Sequence, residues 1–338
     1  MAQPQSSKKE RPSLFLKLTP VKENRAGSEF PSIGRFKYFS SVHKAYSSQL
    51  MLINLFAFIF FLPLIGFVCY INYIGVEQFA YLLAGISDIP YFMGGIGVGL
   101  GSGTDAIVGE IHILYARLIE FVIIGAGLTY TGIGLSGLFH VANVMLWREP
   151  FSKYKLNKKT GVYEPKVFRE YLLGIKKYWL PTTIVTFVLG ALFSGTFASI
   201  FWLAISVAQG TANAGQYILA IFASIVLLIA FMYSFVLLPM ISQYDCKMSV
   251  KLKNSVIFTI KEALQLVFIA GILALISYLA TLGGFWLIIF VIFIAAFMLE
   301  LLVLMLDNLS QYNAQVIVKP LYDRFEAVKK RTERKKRK

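Results

Sequence analysis

Apolar residues in this chain do not alternate with polar ones at the period of a soluble helix or strand. They are gathered into long runs. A helix needs about 20 apolar residues to cross a hydrocarbon core of ~30 Å. Six runs reach that length, at about 50–73, 119–146, 181–207, 215–241, 263–282 and 285–306. The third and fourth are joined by AQGTANA, the fifth and sixth by a turn around Gly283 and Gly284. Both are short links of the kind that connect antiparallel helices. The pattern predicts an all-α fold, a polytopic membrane helix bundle of about six transmembrane helices. The first run follows a polar, basic stretch and begins near Leu50, so it reads as a span and not as a cleaved signal.

The charges orient these spans. Lys8, Lys9, Arg11, Lys17, Lys22, Arg25, Arg35, Lys37 and Lys44 precede the first run. Further basic clusters follow the second, fourth and sixth runs. The 74–112 connection has no lysine or arginine and carries Glu77, Asp88, Asp105 and Glu110. The excess of cationic residues on cytoplasmic loops then places both termini in the cytoplasm of a cell membrane. The expected organisation is a basic N-terminal arm at 1–47, a six-helix membrane domain at 48–307 and a basic tail at 308–338. Within the domain, 74–112 is a non-cytoplasmic insertion, and about 147–180 and 242–262 are cytoplasmic loops.

Composition removes the soluble alternative. Hydrophobic residues make up 57% and charged ones 15%, with a mean hydropathy of +0.65. Soluble domains carry roughly 25% charged residues. The net charge of +15 is first a signature of topology. The tail KKRTERKKRK also suits the anionic lipids of the inner leaflet, at about 1 kcal/mol per basic residue. Nucleic acid or ribosome is disfavoured as its partner, because no aromatic residues interleave to stack on bases. Arg117 is the one basic residue outside these blocks. It sits on the outer rim of the second span, three residues before Glu120 on the same helical face. The pair reads as an interfacial anchor or as a contact at an outer vestibule.

The second run presents Gly125, Thr129, Gly132, Ser136, His140 and Asn143 on one face, widened by Gly127, Thr131 and Gly134. Small residues let membrane helices approach closely, so this stripe predicts a packing seam. The third run offers a matching row in Gly190, Ser194 and Ala198. The alternative is a polar lining of a cavity. Glu300 lies inside the sixth run, where a carboxylate needs a partner. His140 stands about as far before Trp147 as Glu300 before Asp307, so the two share a depth. A His140–Glu300 hydrogen bond is expected, acting as a structural clamp or as a proton or solute site.

No catalytic chemistry emerges. The histidines are His43, His112 and His140, and the cysteines, Cys69 and Cys246, form no CxxC or zinc pattern. GGIGVGLGSGTD at 94–105 never fits GxGxxG, follows no strand and lacks a phosphate-binding lysine. It reads as a flexible outer loop or a re-entrant segment. No cofactor, metal or enzymatic role is expected.

Three segments resemble the YesL family, a bacterial membrane domain of unknown function. They are AYSSQLMLINLFAFIFFLPL, with Asn54 and Pro63; GIGLSGLFHVANVMLWREP followed by VFREYLLGIKKYWLPT; and LPMISQYDCKMSVKLKNSVIFTIKEAL. The last carries a proline, an aromatic–Asp pair and a Lys–Asn pair, here Pro239, Tyr244, Asp245, Lys253 and Asn254. Together they cover roughly 45–73 and 119–305. The resemblance implies a role beside carbohydrate uptake systems and assigns no catalytic residues. The leading expectation is a non-enzymatic accessory or regulatory component of solute uptake, with transporter or ATPase subunits as partners. FREYLLGIKKYW at 168–179 would lie along the membrane face, with Phe168, Leu172, Ile175 and Trp179 on one side. The alternatives are a permease subunit in its own right and a membrane scaffold or assembly factor whose tail binds anionic lipid, RNA or ribosome.

Overall fold

The computed structural model describes residues 35–74, 104–147, 151–156, 163–244, 246–280, 284–294, 299–313 and 327. Nine helices and a small β-ribbon occur among them: α1 (Arg35–Phe58), α2 (Leu62–Ile74), α3 (Thr104–Leu146), β1 (Tyr154–Leu156), β2 (Tyr163–Pro165), α4 (Val167–Ala208), α5 (Ala214–Gln243), α6 (Met248–Lys261), α7 (Ala263–Ala280), α8 (Gly284–Phe293) and α9 (Leu299–Asn313). The protein is predominantly helical. Three helical stretches are long and apolar enough to cross a membrane: Leu118–Leu146, Val167–Val207 and Ala214–Gln243. Two bent pairs raise the number to five if each is one span.

Pro63 explains the first bend. Proline has no N–H, and its ring clashes with the carbonyl four residues back, here Ile59. α1 therefore ends at Phe58, and α2 resumes at Leu62 at 63° to it. Two tight bonds close the turn, from Phe60 N–H to Ala57 O at 3.0 Å and from Phe61 N–H to Phe58 O at 2.8 Å. The second bend, 85°, falls at Glu262 between α6 and α7.

The link between α4 and α5 is fully specified by local chemistry. Gly210 takes a positive φ of 69° after the helix end. Its N–H bonds Val207 O at 3.1 Å, while Thr211 N–H reaches back to Ser206 O at 2.9 Å. This pair of bonds closes the orphan carbonyls of a helix C-terminus around a left-handed glycine. Asn213 then caps α5. Its side chain accepts from Gln216 N–H at 3.1 Å, and Gln216 Oε1 accepts from Asn213 N–H at 3.0 Å.

α3 and α4 form the central antiparallel hairpin, and their seam is the predicted stripe. Gly125 faces Gly190 and Ser194, and Gly132 faces Thr183 and Thr186. Ser194 Oγ donates to Phe121 O at 2.7 Å, and Thr186 Oγ1 lies 3.1 Å from Thr129 O. Gly127 and Gly134 do not widen this seam. They make a second face, against Leu64 and against Phe60 and Ala57. The burial is lopsided. α3 is densely buried from Leu138 to Leu146 and α5 from Met232 to Tyr244, joined by Val303, Leu304, Leu306 and Leu309 of α9. Elsewhere large apolar side chains face outward, such as Ile218, Ile221, Phe222, Ile225 and Ile229 along α5. A stripe of that size suits lipid and not water.

Four expectations change. The second helix starts at Thr104, so part of the 74–112 insertion is helical; at 43 residues, α3 is about 65 Å long, twice the hydrocarbon thickness. The N-terminal arm does not end at 47, because α1 begins at Arg35 and already buries Tyr38 and Val42. The 147–180 loop contains an antiparallel ribbon, with Tyr154 opposite Pro165, which is an exception to the all-α reading. Residues 168–179 are not a separate surface helix. They are the first turns of α4, burying Val167, Glu170, Tyr171 and Tyr178 while Phe168, Leu172 and Trp179 stay exposed. Of the six expected spans, the sixth corresponds to α8 and α9. The Arg117 and Cys69 side chains, Asp245, the glycine-rich 94–103 stretch and the terminal basic segments outside residues 35–313 lie beyond the described residues.

Candidate functional site

A cluster of buried polar groups lies at one end of the bundle, where α3 and α5 terminate and α4 begins. A helix C-terminus leaves its last carbonyls without intrahelical donors, and burial there demands donors from elsewhere. Leu146 O, at the end of α3, receives Tyr38 Oη from α1 and Gln311 Nε2 from α9, the latter at 3.2 Å. Ser242 O, at the end of α5, receives Asn143 Nδ2 at 3.1 Å, with Tyr178 Oη at 3.4 Å. Ile241 O receives the Lys251 ammonium of α6 at 2.9 Å, a cation placed at the negative end of a helix dipole. Gln243 Nε2 donates to Asp307 O at 3.0 Å, tying α5 to α9.

His140 and Glu300, expected to pair, have different partners. His140 Nε2 lies 3.1 Å from Glu170 Oε1. Glu170 occupies the first turn of α4, where a carboxylate is favoured by the helix dipole, and its Oε2 accepts Ser152 N–H at 2.9 Å. The carboxylate thereby fastens the α3–α4 connection to the end of α3. Gly174 makes room for His140: a Cβ there would stand 2.5 Å from the histidine Cβ. The Tyr178 ring lies 5.7 Å from the imidazole.

Glu300 faces α1 instead. It is 2% exposed, and its Oε1 stands 3.5 Å from His43 Nε2. Beside it lies Asn54, fully buried. Its Nδ2 donates to Ile294 O at 2.9 Å, and its Oδ1 accepts Glu300 N–H at 2.9 Å. One amide of α1 thus serves a backbone acceptor at Ile294 and a backbone donor at Glu300. Sequence reasoning noted Asn54 only within a motif, and it missed His43 and Glu170 as partners. The usable signal for Glu170 was an acid in the first turn of the helix that must return along α3.

The other predicted residues fall as follows. Gly125, Thr129 and Gly132 belong to the seam, while Ser136 bonds its own helix at Ile133 O and Asn143 leaves the seam for Ser242. Pro239 is inside α5, Tyr244 is buried with its hydroxyl 3.5 Å from Ser310 O, Asn254 is fully buried, and Lys253 is exposed. Glu120 is half-buried. Among the described residues no three His, Cys, Asp or Glu side chains come together as a metal ion would need. The arrangement's chemistry is helix-end capping plus two histidine–carboxylate pairs.

Comparison with known proteins returns nothing: no family model, no curated protein and no solved structure matches the chain.

Proposed function

We propose that the chain is a six-span protein of the cell membrane, with both termini inside, that acts as a non-enzymatic accessory or regulatory component of solute uptake. The observation that carries this reading is the use of the interior polar groups. Tyr38, Asn143, Gln243, Lys251 and Gln311 all bond backbone carbonyls of other helices. Such groups hold helices in register, the work of a scaffold. The same end carries the basic connections, including Lys176 and Lys177 on the exposed side of α4. That surface suits both anionic lipid and a docked transporter or ATPase subunit. Carbohydrate as the solute class rests on the YesL-like segments alone.

The test is purification of the tagged full-length protein from native membranes in mild detergent. Transporter subunits recovered in near-stoichiometric amount are the expected result. Recovery of the chain alone, with solute uptake unchanged in cells lacking it, overturns the reading. A second reading, a permease in its own right, draws support from the deeply buried Glu300, since intramembrane carboxylates mark ion and solute paths. Solute flux into vesicles containing only this protein separates the two.

A further inference from the structure

We propose that His43 and Glu300 form a proton-binding site between α1 and α9, loaded from the aqueous edge of the bundle through the His43 imidazole. The geometry is asymmetric in the way such a site needs. The Glu300 side chain is 2% exposed and the His43 side chain 31% exposed, so the histidine reaches the surface of the bundle and the carboxylate does not. Their separation of 3.5 Å is an ion-pair distance, longer than a formed hydrogen bond. Among the described residues neither His43 Nε2 nor Glu300 Oε2 has a hydrogen-bond partner. A carboxylate so buried and half-satisfied is held at a cost that a purely structural residue would not need.

The donor set selects the proton over a metal cation. Two titratable groups meet here, and Asn54 Oδ1 is committed to Glu300 N–H. That leaves too few oxygens for sodium or magnesium, which take about six. Other titratable groups around α9 are engaged elsewhere. From α3, His140 is held by Glu170; from α5, the Tyr244 hydroxyl points to Ser310 O; on α9 itself, Asp307 bonds Gln243. From α1, Lys44 is exposed.

The step balances without a co-reactant. The Nε2–H bond of imidazolium breaks, an O–H bond forms on Glu300 Oε1, and both groups end neutral. The reverse transfer returns the proton to water through His43. Because Asn54 Oδ1 accepts Glu300 N–H, the protonation state changes directly beside an amide that ties α1 to α9.

The inference stands apart from the uptake reading and is tested without a solute. The full-length protein in lipid discs is taken through a pH jump and followed by infrared difference spectroscopy. The expected result is a carbonyl band of a protonated carboxylic acid that titrates, is lost in Glu300→Gln, and moves by about one pH unit or more in His43→Gln. His140→Asn should leave it in place. A band that persists in Glu300→Gln, or a midpoint unchanged in His43→Gln, overturns the proposal. His43 lies at the partly exposed edge, so its variant decides the matter even if the buried one misfolds.

Discussion

Substitution of Gly125 by alanine tests the seam that holds the central hairpin. A Cβ at Gly125 would stand 2.6 Å from the carbonyl oxygen of Gly190 and 3.1 Å from its carbon. Ordinary contact begins at 3.4 Å, so the two backbones must part by about 0.8 Å at this point. The nearest atom of all is Ser194 Oγ, the hydroxyl that bonds Phe121 O across the seam at 2.7 Å. The new methyl therefore pushes the backbone and displaces an interhelical hydrogen bond. Overpacking costs roughly 1–3 kcal/mol, and a membrane interhelical hydrogen bond contributes about 0.6 kcal/mol. Alanine's better helix propensity returns up to about 1 kcal/mol. Gly125→Ala should thus be destabilised by about 1–3 kcal/mol. Gly195→Ala on α4 is the control, because a Cβ there meets nothing within 4 Å. It should be neutral or stabilising. The assay is reversible denaturant unfolding in mixed micelles, read by intrinsic fluorescence. If Gly125→Ala unfolds at or above the midpoint of Gly195→Ala, the close approach of α3 and α4 is wrong.

Asn54→Leu should strand Ile294 O and Glu300 N–H at about 1–3 kcal/mol each, and hydrogen exchange at the Glu300 amide should rise about tenfold or more; an unchanged rate would mean Asn54 does not hold the Glu300 N–H. Glu170→Gln should weaken two charge-assisted bonds, to His140 and Ser152, and expose the 148–166 connection to protease, while Lys176→Ala on the exposed side stays within about 0.5 kcal/mol of wild type. A cysteine placed at Asp88 should react with an impermeant reagent on intact cells and one at Lys338 should not; the reverse result removes the orientation inferred from the basic blocks.

What the sequence displayed was periodic or local. The stripe at Gly125, Thr129 and Gly132, and its counterpart at Gly190 and Ser194, were legible because membrane helices approach only through small residues. The start of α1 was also encoded, in Tyr38, Val42, Tyr46, Leu50 and Ile53 at helical spacing, but Arg35, Lys37 and Lys44 gave the segment the look of a solvated arm. The His140–Glu300 pairing failed for a geometric reason. Counting residues from a helix end fixes depth in the bundle and says nothing of azimuth. His140 and Glu300 stand at similar depth on helices that turn them toward different neighbours, α4 and α1. Asn54 was noted only within a motif, because its role depends on the backbone groups at Ile294 and Glu300, far along the chain, that hydropathy does not bring to it.

The two kinds of helix contact in the bundle predict where it loosens. Along α3 and α4 the contact at Gly125 and Gly190 is backbone against backbone, with the short Ser194 side chain bonded across it to Phe121 O. A packed interface of that kind is bistable or rigid and does not deform smoothly. Other helix ends are held differently. Lys251 on Ile241 O ties the first turn of α6 to the end of α5, and Asn54 of α1 bonds both Ile294 O and Glu300 N–H. A single side chain can let go at the cost of one or two hydrogen bonds, a few kcal/mol at most. Substitutions that loosen the bundle should therefore act more readily at these side-chain ties than along the α3–α4 seam. Glu300, with its unmet oxygen, sits beside one of those ties.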